Sequence, residues 1–175
     1  MNKKNIGIYN PAIITKTVVV SITNIGDNIK NTLEDKIKKE IEGVCIVEGF
    51  VKPNSTKIIS YSSGKLKGSN VMFEVVFECL ICCPVEGMHI NCIVKNITES
   101  AGIRAETIDN PSPLVIYLAR DHHYTMKYFS QIKENQQIVV KVIGQRYELY
   151  DRYISVIAEL LENKSKYKKK LIIKE

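Results

Sequence analysis

Five short segments between residues 88 and 160 carry the sequence signature of β-strands, and each is bounded by turn-forming residues. In residues 88–97, Met88, Ile90, Cys92 and Val94 alternate with His89, Asn91 and Lys95. Residues 102–108 form a short, turn-bounded segment, and 114–119 follow the turn Asn110-Pro111-Ser112-Pro113. Alternation returns over 137–144, and 152–160 close the set after the polar turn at Tyr150-Asp151. A period of two gives each strand one dry and one wet face, so the dry faces must share an interior. A short helix over 123–132 is expected between the third and fourth strands. Five strands with that insertion are the arrangement of an OB-type barrel, whose second and third strands form an oligonucleotide-binding face.

The first half of the chain reads differently. Residues 6–23 are β-rich, and Pro11 is expected to break them into separate strands. A helix follows, with Asp27 as its expected cap and Gly43 as its stop. Ile29, Leu33, Ile37 and Ile41 recur every fourth residue, so one stripe packs and the rest is solvated. The pairs Glu34/Lys38, Asp35/Lys39 and Lys36/Glu40 stand at i,i+4 on the outer faces. Strands are expected over 44–51, 56–61 and 71–83, with a flexible basic loop at 62–69 between Gly64 and Gly68. One helix against about four strands makes an α+β domain at 1–84, followed by the all-β barrel domain at 85–162 and a basic tail at 163–175.

Composition narrows the function class. The 175 residues are 45% hydrophobic and 25% charged, which is ordinary globular composition. No stretch approaches the roughly 18–20 apolar residues of a membrane span, and the basic start Met1-Asn2-Lys3-Lys4-Asn5 has no apolar segment behind it. An intracellular protein is therefore expected. The net charge of +6 is concentrated at Lys164, Lys166, Lys168, Lys169, Lys170 and Lys174, and the body is close to neutral. The five cysteines (Cys45, Cys79, Cys82, Cys83 and Cys92) lack the even spacing of a disulfide framework. Cys79-x-x-Cys82-Cys83 lies in an apolar strand without a glycine knuckle or a second CxxC, so buried free thiols are expected in place of a zinc site. The bias to Ile, Lys and Asn with no Trp is the kind that accompanies A+T-rich coding sequence.

The order of motifs resembles the seventh-subunit family of eukaryotic RNA polymerase II and its archaeal counterpart, the larger of the two stalk subunits. The likeness runs from about Ile8 to Glu162. It is carried by Asn31-Thr32-Leu33-Glu34-Asp35-Lys36-Ile37 continuing to Ile41-Glu42-Gly43-Val44-Cys45, then Gly49-Phe50-Val51 and the glycine loop 62–69. Val85-Glu86-Gly87-Met88, Val94, Gly102-Ile103, residues 138–144, Arg146 and Ile154-Ser155-Val156-Ile157 extend it through the barrel. Residues 79–88, together with Ala119-Arg120-Asp121-His122-His123-Tyr124, look closest to versions encoded by giant nucleocytoplasmic DNA viruses.

The resemblance implies a non-catalytic subunit in a heterodimer with a smaller stalk partner. Its first domain would dock on the polymerase core, and its OB domain would meet nascent single-stranded RNA. The location implied is the nucleus, or a viral factory and virion for a virus-encoded chain. The glycine loop, with Gly64, Lys65, Leu66, Lys67 and Gly68, becomes a core-docking tip; it lacks the arrangement of a phosphate-binding P-loop.

Single-stranded RNA is held by stacking on aromatic or guanidinium planes and by cations along the backbone. Arg104 stands where such barrels commonly place an exposed aromatic, and Tyr117 takes the RNA-facing place on the third strand. Arg120 follows as the family pattern suggests, then His122 and Tyr124. Lys95, Lys141, Arg146 and Tyr147 are candidates to complete a rim. Adjacent His122 and His123 point in divergent directions and have no further ligand at metal spacing, so a loop or helix start capped by Asp121 is expected there. No paired carboxylates, nucleophile elbow or metal cluster suggest an enzyme, and no cofactor is expected. The alternative is a free-standing OB factor of translation or RNA decay, which would have no need of the α+β half.

Overall fold

A computed structural model describes residues 7–161. The basic tail at 163–175 lies outside the described residues. The chain forms two units: one runs to Cys83 and takes in Tyr147–Ile154, and the other holds Pro84–Arg146 and the chain from Ser155 onward.

In the first unit, Tyr9–Ser21 is one unbroken strand, β1, although Pro11 lies inside it. It pairs antiparallel along its whole length with Asn70–Cys82, the long strand β6. Pro11 is tolerated because it stands opposite Leu80, whose own N–H goes to Ser55 Oγ and whose carbonyl accepts from Lys52 N–H. The backbone of Leu80 therefore faces away from β1, and the position where Pro11 lacks an N–H faces away from β6. An outward-facing position on an edge strand is where a sheet accepts proline.

Between these strands come Ile29–Ile41 (α1), Cys45–Ile46 (β2), Gly49–Val51 (β3), Lys57–Tyr61 (β4) and Lys65–Lys67 (β5). β3, β4 and β5 share the other edge of β6 along its length, which makes six strands where about four were expected. The expected strand at 44–51 is a hairpin, turned at Val47-Glu48. Gly49 sits at φ +132°, and a Cβ there would lie 2.5 Å from the carbonyl oxygen of Cys82. The expected flexible loop at 62–69 contains β5, which folds back on residues 70–72 through Gly68 at φ +62°.

The helix buries Leu33, Ile37 and Ile41, with Ile29 partly covered, against Val18, Val20, Phe73, Val75 and Phe77. Its cap position is Asn28 and not Asp27, and the Asn28 side chain makes no capping bond. Gly43, at φ +75°, ends it as expected. Of the three anticipated i,i+4 pairs, Glu34–Lys38 forms at 2.6 Å. Glu40 turns to Lys16 on β1 at 2.7 Å, and Lys36 donates to the backbone carbonyl of Val19, because the sheet edge offers these side chains partners that an isolated helix does not.

The second unit is a closed barrel of His89–Thr98 (β7), Gly102–Glu106 (β8), Leu114–Ala119 (β9), Gln137–Arg146 (β10) and Ile154–Leu160 (β11), in the ring order β10-β11-β9-β8-β7. The pairs β7–β8, β8–β9, β7–β10 and β10–β11 are antiparallel. A ring of five strands cannot alternate throughout, so the closing neighbours β9 and β11 run parallel, which is OB connectivity. The interior is filled by alternate residues, including Ile90, Cys92, Val94, Ile103, Ala105, Ile116, Leu118, Val140, Val142, Val156 and Ala158.

The helix expected over 123–132 does not form. The chain makes 3₁₀ turns at Arg120–His122 and Phe129–Gln131, linked by i→i−3 bonds from the N–H groups of His123, Met126, Phe129 and Ile132. A ten-residue helix is marginal without tertiary support, and the buried positions here, His123, Phe129 and Ile132, do not follow one helical stripe.

Candidate nucleic-acid interface

The second and third barrel strands place Arg104 and Tyr117 directly opposite each other across the β8–β9 ladder. Side chains so paired have Cβ atoms about 5 Å apart. Tyr117 is 42% exposed. Its neighbours Ile116 and Leu118 point inward and are buried, so the strand holds the phenol ring on the outer wall. On the far side of Arg104, β7 contributes Asn96 to the same row, and a bulge between Val94 and Asn96 inserts the exposed Lys95 beside it. The hairpin joining β8 to β9 is tied by Thr107: its N–H bonds Ser112 Oγ at 3.1 Å, and the two hydroxyls meet at 2.8 Å.

The charge on this face is not wholly free. Arg104 Nη2 lies 3.1 Å from Glu106 Oε1, two residues along the same strand. Sequence reasoning passed over Glu106, yet period-two geometry alone puts it on the same side of β8 as Arg104.

Arg120, His122 and the 84%-exposed Tyr124 form a second group beyond the end of β9. Roughly 10 Å of strand separates Arg120 from Tyr117. Gly102 pairs with Ala119 at this end. It sits at φ +114°, and a Cβ there would lie 2.1 Å from the carbonyl oxygen of Leu118 and 3.0 Å from the nitrogen of Arg120. Close backbone approach thus positions the start of the Arg120 turn.

His123 is built into the barrel instead of lying in a loop or opening a helix. It is 1% exposed and stacks on Phe129 with ring centroids 4.7 Å apart. Its Nε2 accepts the Leu160 N–H at 2.9 Å, which leaves Nδ1 to donate to Ala119 O at 2.7 Å. One imidazole therefore bonds the end of β9 to the last residue of β11 and holds the exposed Arg120–Tyr124 turn in place. The turn is capped by Ala119 and not by Asp121.

The remaining rim candidates are not gathered with these. Lys141 is exposed on β10, paired with His89 and Glu159 on strands flanking β10, two strands around the ring from β8. Arg146 ends β10 opposite Ser155. Tyr147 falls in the first unit, where its hydroxyl donates to Val47 O at 3.0 Å. Burial, followed by the neighbouring Cys83, Cys45 and Glu48, pushes its ionisation up.

In the first unit, Lys65, Leu66 and Lys67 of β5 are all exposed, Leu66 at 73%, and Gly68 lies in the turn that follows. Gly64 is packed: a Cβ there would lie 2.4 Å from a methyl of Val71 and 3.0 Å from the Phe73 ring. The cysteines Cys45, Cys79, Cys82 and Cys92 are buried, and Cys83 is half-buried. Burial raises the thiols of Cys45 and Cys92 to about 12 and that of Cys79 to about 11. Among the described residues no cluster of three His, Cys, Asp or Glu side chains is placed to hold a metal ion, and no helix is long and apolar enough to cross a membrane.

No family model matches the sequence. The chain is similar to a provisionally named DNA-directed RNA polymerase subunit of Acanthamoeba polyphaga mimivirus, with 25% identity over 152 residues that cover 77% of this chain and 73% of the viral protein.

Proposed function

We propose that this chain is a non-catalytic, stalk-type subunit of a multisubunit DNA-directed RNA polymerase, and that its barrel contacts nascent single-stranded RNA. The observation that carries the reading is the likeness to the mimivirus polymerase subunit, which covers a larger share of the chain than either unit alone supplies. The OB connectivity and the Arg104–Tyr117 row support the RNA role, since a planar cation beside an exposed phenol suits base stacking and phosphate pairing. The working RNA face is Lys95, Arg104, Tyr117, Arg120, His122 and Tyr124. The exposed β5 hairpin, Lys65 to Lys67 with its glycines, is the docking element for the polymerase core, and a smaller stalk subunit completes the assembly.

Affinity purification through this chain, with co-purifying proteins identified by mass, tests the assembly. Large polymerase subunits are expected, and recovery of ribosomal or RNA-decay proteins in their place would return the free-standing OB factor. For the barrel, fluorescence anisotropy with a labelled oligouridylate at low salt is expected to show Tyr117→Ala weakening binding about five- to tenfold, the lower end of the range for loss of one stacking platform. Unchanged affinity with an unchanged melting temperature would remove this face from the reading.

A further inference from the structure

The parity of the β1–β6 ladder fixes which backbone groups of β1 point away from the sheet. On β6, the N–H and carbonyl of Leu80, and likewise of Glu74, are bonded on the side away from β1. Their partners Pro11 and Thr17, and the alternate residues Ile13, Thr15 and Val19, therefore direct their own backbone groups outward. Among the described residues β1 has β6 as its one strand neighbour, so its other edge is open.

The edge is closed at both ends and bare in the middle. Pro11 has no N–H to offer, and the carbonyl of Val19 is taken by Lys36 Nζ. Proline and lysine are standard protection for exposed sheet edges. Among the described residues, the outward N–H and carbonyl groups of Ile13, Thr15 and Thr17 have no partner, and Ile13 is 71% exposed. Beside this stretch, on the helix-covered side, a cleft of about 290 Å³ opens between Ile14, Ile41, Ile46, Phe77, Leu149 and Tyr150, with Lys16 and Glu48 also on its wall.

We infer that residues 13–17 of β1 accept an extended peptide strand from another polymerase subunit, with one apolar side chain of that strand seated in the cleft beside Ile14. The inference rests on the polymerase reading above. An added strand lies about 4.8 Å outside β1. It bonds to the three open residues, and its residue opposite Ile14 projects to the helix side, where the cleft lining is largely aliphatic and aromatic. Main-chain bonds then supply affinity and the seated side chain supplies selectivity. A second copy of this chain suits the edge poorly. Antiparallel self-pairing about Thr15 would set Lys16 of one copy opposite Ile14 of the other, and would gather Lys16 and Lys36 of both copies, four lysines against the two Glu40 carboxylates, at one seam.

The test is amide hydrogen exchange, read at single-residue resolution, on the tagged chain alone and in polymerase purified through it. The amides of Ile13, Thr15 and Thr17 are expected to slow by about tenfold or more in the complex, while those of Ile14 and Lys16, already bonded to β6, change little. Thr15→Pro deletes only an outward N–H, at the parity where Pro11 is native. It is expected to cut polymerase recovery about fivefold or more at an unchanged melting temperature, roughly the effect of one lost hydrogen bond, whereas Thr15→Val restores it. Polymerase recovered with residues 13, 15 and 17 exchanging as in the isolated chain overturns this inference and leaves the polymerase reading standing. Failure to recover polymerase overturns that reading, and the occupant with it. Protection already present in the isolated chain assigns the edge to another segment of this chain, or to a second copy where it grows with concentration, and either result overturns the inference.

Discussion

Arg104 is held by a carboxylate on its own strand, and that damps the positive charge the proposed RNA face presents. An exposed pair such as Arg104–Glu106 contributes at most about 1 kcal/mol to stability, so breaking it does little harm to the fold. Its effect on a phosphate is larger in kind: Glu106 both occupies the guanidinium and repels the anion that would replace it. Glu106→Gln is therefore expected to tighten oligouridylate binding about two- to fivefold at low salt, with the gain fading as salt screens the exposed charges. Anisotropy titrations at two salt concentrations measure this, and weaker binding in the variant would show that Arg104 does not meet phosphate. Arg104 and Tyr117 are legible in the sequence because strand parity assigns them outward. The damping of Arg104 is less visible, since i,i+2 spacing gives proximity on one face without saying which rotamer the guanidinium adopts. His123 was illegible for a different reason. Its partners, Ala119 O and Leu160 N, are backbone atoms, one of them far along the chain, and no side-chain pattern records them.

At the level of elements, period two and period four carried most of the fold. The barrel strands and α1 were readable because their buried residues recur at fixed intervals over several turns or pleats. Three expectations failed where a distant backbone decided the outcome. Pro11 stays within β1 because Leu80 directs its bonds elsewhere; residues 44–51 fold into a hairpin because Gly49 must pass close to Cys82; and 123–132 form turns because His123 is drawn into the core. Gly102 is the sharpest case in the barrel, with positive φ and a Cβ position overlapping the Leu118 carbonyl. Backbone cannot move aside as a side-chain tip can, so Gly102→Ala is expected to lose about 2–4 kcal/mol, combining left-handed strain with a displaced strand. Gly68→Ala, also at positive φ but with nothing within 4 Å of its Cβ, is expected to lose only about 1 kcal/mol. Urea unfolding of both variants distinguishes the terms, and equal losses would mean that the Leu118 contact is relieved without penalty.

Over the whole molecule, the buried thiols and the lysines near the C-terminus shape behaviour in solution in separable ways. Cys45 and Cys92, raised to about 12, and Cys79, raised to about 11, keep their protons when folded, whereas an unfolded thiol releases its proton near pH 8.5. Above about pH 8.5 the unfolded state holds fewer protons, so stability falls as pH rises, by up to about 1.4 kcal/mol per pH unit for each such thiol, and the loss continues up to the folded-state values. Denaturant melts between pH 7 and 10.5 should show this decline, with Cys92→Ala flattening the slope even though it lowers the starting stability; an unaltered slope would mean that the Cys92 thiol ionises alike in both states. The RNA attraction proposed for the chain would turn on different residues. The working face offers Lys95, Arg104 and Arg120, so about three phosphate contacts and a salt slope near −2 are what it alone supports. Six further lysines lie between Lys164 and Lys174. Replacing all six with glutamine is expected to flatten the dependence of log K on log salt toward that value, while Arg104→Ala changes it by only about 0.7. A slope that is shallow from the outset and indifferent to the lysine replacements would confine RNA contact to the barrel. A steep slope lost with the lysines, and unaffected by Arg104→Ala and Tyr117→Ala, would move the RNA site off it.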